Sequence, residues 1–113
     1  MSLEETRQFY ASTNREYFHG SLPKDTDIEF GSNDFISLEN VLRHALGITN
    51  KIGNHFTITI DRKWAPADVT MQETMLHEEC HVATWGLEKD DHGKKWRSCM
   101  HDLYIQGAFD GLL

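Results

Sequence analysis

At 113 residues the chain fits one domain, residues 1–113, large enough to bury a core without disulfide support. Hydrophobic residues make up 39% and charged residues 26%, which excludes a disordered chain, and no apolar run approaches the ~18 residues of a membrane span. The formal net charge of −7 opposes non-specific binding to nucleic acid, because such binding rests on Lys and Arg neutralising phosphates.

The opening residues Met1-Ser2-Leu3-Glu4-Glu5 are acidic and carry no apolar signal core, so a cytoplasmic location and no membrane partner are expected. The same stretch fits a capping box, with Ser2 and Glu5 bonding each other's backbone. A helix is predicted from there to about Phe18, with Leu3, Tyr10 and Tyr17 on its apolar face, stopped by Gly20 and Pro23. Asp27-Ile28-Glu29-Phe30 alternates as a short strand. Residues 33–44 fit either a short helix capped by Ser37 and running through Val41, or a long loop. A strand is expected over Ala45–Thr49, a turn over Asn50–Asn54, and a well-marked strand over His55–Asp61 with Phe56, Ile58 and Ile60 on one face. Thr70-Met71-Gln72-Glu73 is a second capping-box pattern, starting a helix that runs to Trp85 and stops at Gly86. After a polar loop over Leu87–Asp91, a last helix is expected from His92, capped by Asp91, to about Gln106. The order predicts an α+β fold, a small mostly antiparallel sheet packed on three helices.

The chemistry concentrates in His77-Glu78-Glu79-Cys80-His81, an HExxH motif inside a predicted helix. Residues four apart share a helix face, so both imidazoles can reach one metal ion. Glu78 then lies beside the open coordination position, where it can activate a zinc-bound water and return the proton to the leaving group. A catalytic zinc needs a third protein ligand. His92, just past a tight turn, is the favoured candidate, and His101 on the same helix is its rival. The two cysteines, Cys80 and Cys99, form no CxxC pair, which excludes a zinc ribbon, and without a secretory signal they are expected to be free. Cys80 reads as a small buried hydrophobe. Lys94, Lys95 and Arg97 read as a solvated helix face or, alternatively, as a cluster that steers a polyanion to the metal; Trp85 and Trp96 read as core residues packed on each other, with stacking on bases as the alternative; Tyr104 and His101 are candidates for oxyanion stabilisation.

Three stretches carry a resemblance to a known family. They are Thr74 to Trp85 with the HExxH motif, then His92-Gly93-Lys94-Lys95-Trp96, and upstream Asn14 to Pro23. Ala45-Leu46-Gly47 and Ile58-Thr59-Ile60 match in addition. Together they resemble the SprT-like zinc metallopeptidases (Spartan/SprT-type domains). The resemblance implies a zincin-like minimal metallopeptidase domain with zinc on His77, His81 and His92 and Glu78 as the catalytic base. It also implies a protein or peptide substrate, including proteins associated with or crosslinked to DNA, while the net charge of −7 leaves only weak DNA contact expected from this domain alone. Two other readings are compatible with the residues: a non-catalytic zinc-stabilised interaction module, and a zinc hydrolase of non-peptide substrates. An intact Glu78 argues against the module, because a structural site needs no base.

Overall fold

Helix α1, Leu3–Tyr17, begins with the expected capping box: Ser2 Oγ accepts from Glu5 N at 3.0 Å and Glu5 Oε1 accepts from Ser2 N at 2.9 Å. It ends at Phe18, where His19 and Gly20 turn left-handed with φ of 55° and 71°. Asn14 then ties the returning chain, its amide holding both the N–H and the carbonyl of Leu22 at 3.0 Å. The computed structural model describes residues 1–36, 39–40 and 42–112.

Among the described residues five strands follow: β1 Asp27–Phe30, β2 Asp34–Ile36, β3 Leu42–His44, β4 Gly47–Ile52 and β5 His55–Ile60. The main sheet has the order β1-β5-β4, with β1 parallel and β4 antiparallel to the central β5. Strands β2 and β3 form a separate antiparallel pair, Asp34 opposite His44. Residues 33–44 are therefore strand-bearing on both sides, not a single helix or loop, while Ser37 and Val41 of the proposed short helix lie outside the described residues. The turn expected over Asn50–Asn54 shrinks to Gly53-Asn54, because β4 pairs with β5 through Ile52 opposite His55.

Helix α2, Asp68–Ala83, starts two residues before Thr70, with Ala67 at its cap and no side-chain capping bond. Thr70 is thus inside the helix, its carbonyl accepting from Thr74 Oγ1 at 2.7 Å. Helix α3, Lys94–Ile105, starts two residues later than expected, and Asp91 does not cap it. Alternation along β5 buries Phe56, Ile58 and Ile60. These side chains meet Met71 and Met75 of α2, Tyr10 of α1 and Ile28 of β1 in the main core. A second cluster, Leu76, Cys80 and Leu103, lies between α2 and α3. Helix α2 consequently contacts α1, α3, β4 and β5 and is buried on several sides.

Cys80 and Cys99 are joined in a disulfide with Cα atoms 5.7 Å apart, which corrects the expectation of free thiols. Packing of α3 on α2 makes the pairing, and sequence separation carries no sign of it. No helix among the described residues is long and apolar enough to cross a membrane.

Candidate metal centre

One helical turn separates His77 from His81 on α2, and their Nε2 atoms lie 3.1 Å apart. His92, on the loop between α2 and α3, turns its ring onto the same point. Its Nε2 is 3.1 Å from that of His81 and 3.3 Å from that of His77. Tetrahedral ligation by imidazole nitrogens at a Zn–N distance of about 2.0–2.1 Å requires N···N edges of about 3.3 Å. The observed triangle fits that requirement, and nitrogens this close cannot all carry hydrogens toward one another. Among the described residues these three histidines form the group able to hold a metal ion. His101 is exposed on α3 and outside the group.

Trp96 builds the wall behind the triangle. Its ring lies 4.6 Å from the His77 ring and 4.7 Å from the His92 ring, and it stacks on His81 at 5.4 Å with a 22° tilt. Its indole Nε1 donates to the His77 carbonyl at 3.3 Å. Trp96 therefore packs on the histidines rather than on Trp85, which meets Phe56 edge-on at 5.6 Å and is otherwise exposed. Trp85 lies just past α2 against the central strand β5, and Trp96 lies in the first turn of α3, a difference that proximity to the motif in sequence does not reveal.

Burial holds His77 down to about 4, reinforced by His81 and His92, and burial likewise lowers His81. Both imidazoles are therefore neutral at pH 7 and offer lone pairs to a cation. Glu78 is only 3% exposed, and burial pushes its carboxyl up to about 7 against the lowering effect of Thr49. Its two oxygens have distinct surroundings. Oε1 accepts from Thr49 Oγ1 of β4 at 3.0 Å, and Oε2 lies 3.7 Å from His77 Nε2. With the imidazole pushed down and the carboxyl pushed up, that second contact is not an ion pair. A cation on the imidazoles would favour the ionised carboxylate.

Glu79 points the other way, fully buried between α1 and α2 against Thr13. The HExxH turn thus divides its acidic pair: one carboxyl at the metal centre and one in the core.

The triangle opens into a cleft of about 720 Å³ lined on one side by residues 45–49 and on the other by α2 and the loop that carries His92. Strand β4 is an edge strand of the main sheet, and it approaches α2 closely at Gly47, where a Cβ would come within 2.7 Å of Thr74 Cγ2 and 2.9 Å of Glu78 Cγ. Gly47 and Thr49, two apart on one strand face, both meet Glu78, which the sequence reading missed. The only signal for them is period-2 spacing on a strand whose bounds were themselves misplaced. Tyr104 and His101 are not among the residues lining the cleft, and Lys94, Lys95 and Arg97 are exposed.

No curated protein matches the chain. The model of the SprT-like family matches residues 6–109, from within the first turn of α1 to just past the end of α3, and by that match the chain belongs to the SprT-like family.

Proposed function

We propose that this domain is a zinc-dependent endopeptidase in which His77, His81 and His92 hold the metal and Glu78 is the catalytic base. The observation that carries the reading is the convergence of three Nε2 atoms within 3.3 Å of one another, beside a buried carboxyl and at the floor of an open cleft. Three imidazole donors suit zinc among the common metals. When bound, zinc supplies Lewis acidity, polarising the scissile carbonyl and making a coordinated water acidic near neutral pH.

The chain's own residues supply the rest. Glu78 Oε2, facing the triangle, takes the proton of the attacking water and passes it to the leaving amine nitrogen. Thr49 occupies Oε1, leaving Oε2 for that transfer. Among the described residues the outer edge of β4 along the cleft has no strand partner, so an extended substrate segment adds to the sheet there as a further strand. That geometry favours peptide over non-peptide substrates. A closed structural zinc site would have a fourth protein ligand, whereas among the described residues the group is His77, His81 and His92 and it faces the cleft, which favours an enzyme over an interaction module. Proteins held on DNA are a substrate class consistent with this reading.

The test is Glu78→Gln. Hydrolysis of an unfolded protein substrate by the zinc-loaded variant is expected to fall by at least about 100-fold, with zinc still bound, because Glu78 is a base and not a ligand. Equal turnover by the variant would remove Glu78 from the mechanism.

A further inference from the structure

Of the three histidines, His92 is the least restrained by packing. Its side chain is 51% exposed, whereas His77 is 35% exposed and sits on a helix. Something other than burial must hold His92 on the triangle. The loop around it supplies two restraints. Asp90 Oδ1 accepts from His92 N at 3.0 Å, and the Asp90 carbonyl accepts from Gly93 N at 3.1 Å. Downstream, the Glu88 carboxylate reaches across the loop, its Oε1 accepting from Lys95 N at 2.9 Å and from Trp96 N at 3.4 Å.

Helix α3 needs that carboxylate. Its own cap residue, Gly93, makes no side-chain capping bond, and its first turn contains no acidic residue. Lys94, Lys95 and Arg97 instead place positive charge at the positive end of the helix dipole. Glu88 satisfies orphan N–H groups and offsets this charge from outside the helix. Gly93 makes room for it: a Cβ there would lie 2.6 Å from Glu88 Cδ and Oε1 and 2.8 Å from Oε2. The glycine after His92 is therefore matched to a carboxylate five residues before that glycine.

We infer that Glu88 is a positioning residue for the metal centre. Through its bonds to Lys95 N and Trp96 N it fixes the start of α3 and so holds His92 and the Trp96 ring in the geometry that closes the triangle. This rests on the zinc reading above, but it concerns retention of the ion and not turnover.

The experiment measures zinc affinity by competition with a chromogenic chelator for the wild-type chain, Glu88→Ala, Glu88→Gln and Gly93→Ala, with thermal unfolding of each metal-free form alongside. Glu88→Ala is expected to lose roughly 10- to 100-fold in zinc affinity, the range seen when residues that orient metal ligands are removed. Glu88→Gln keeps an oxygen acceptor and is expected to recover most of that loss. Gly93→Ala leaves Glu88 in place but pushes its carboxylate away, and is expected to weaken zinc as Glu88→Ala does. It keeps the question answerable should Glu88→Ala fail to fold. A purely structural role would lower the metal-free melting temperature without this order of zinc affinities. Wild-type affinity in Glu88→Ala or in Gly93→Ala would overturn the inference while leaving the zinc reading intact. A wild-type chain that binds no zinc would overturn both.

Discussion

Replacing Gly47 with alanine tests the closeness of β4 and α2 that frames the candidate site. The added Cβ would lie 2.7 Å from Thr74 Cγ2, 2.9 Å from Glu78 Cγ and 3.2 Å from Glu78 Cδ. Carbon atoms pack at about 3.5–4.0 Å, so the first contact is too short by about 1 Å. Neither neighbour can easily turn aside. Thr74 is β-branched and buried, with its hydroxyl bonded to the Thr70 carbonyl at 2.7 Å. Glu78 is held by Thr49 at 3.0 Å. The strand must therefore lift off the helix, at a cost of about 1–3 kcal/mol for overpacking. For a domain of this size that lowers the melting temperature by roughly 4–12 °C. Calorimetry on the metal-free protein reads the shift. Thr74→Ser removes the methyl group in closest contact, so the double variant should recover about 1 kcal/mol relative to the sum of the singles. Gly53→Ala is the contrast: its φ of +61° imposes strain, but nothing among the described residues lies within 4 Å of the new Cβ. It should cost stability with no coupling to Thr74→Ser and no change in peptidase rate, whereas Gly47→Ala displaces Glu78 and lowers the rate. A Gly47→Ala protein that melts with the wild type, or purely additive effects in the double variant, would refute the close approach.

Glu79 gives a pH-dependent prediction. Thr13 Oγ1 lies 2.6 and 2.8 Å from its two oxygens and 2.9 Å from the Phe9 carbonyl, and one hydroxyl hydrogen cannot serve them all, so a neutral Glu79 supplies the second. Burial pushes this carboxyl from 4.5 up to about 8, so between those values the native state binds the additional proton. The stability it contributes is full below about pH 4.5 and is lost as the pH rises through about 8. Glu79→Gln cannot ionise, and urea unfolding of the metal-free forms should show its stability gaining on the wild type from pH 5 to pH 8; parallel pH profiles would contradict the protonated core carboxyl. Chelator titration should show His92→Ala losing zinc affinity by orders of magnitude and His101→Ala changing little, and the reverse outcome would displace the assigned triangle. Fluorescence anisotropy should find DNA binding weak and steeply salt-dependent, since the net charge of −7 opposes the exposed Lys94, Lys95 and Arg97; tight binding at physiological salt would mean that this cluster dominates.

Local chemistry made much of the architecture legible in the sequence. The Ser2/Glu5 capping box, the alternation over His55–Ile60 and the four-residue spacing of His77 and His81 are each set within one helical turn or one strand, and the structure contains all three elements. The His92-Gly93 pair was readable as a motif, but its convergence with α2 depends on how α3 packs. Where partners are far apart in the chain, only the tertiary structure decided. It closed the Cys80–Cys99 disulfide, parted Trp85 from Trp96 by seating one on Phe56 and the other on the imidazoles, turned residues on both sides of Ser37 and Val41 into paired strands, and brought Thr49 to Glu78 across 29 positions. It also moved the start of α3 from His92 to Lys94, because a carboxylate from the preceding loop, Glu88, meets the first-turn N–H groups that Asp91 leaves unbonded. Periodicity and capping report which backbone each segment prefers. The side chains that meet across elements are chosen by packing, and no spacing along the chain encodes it.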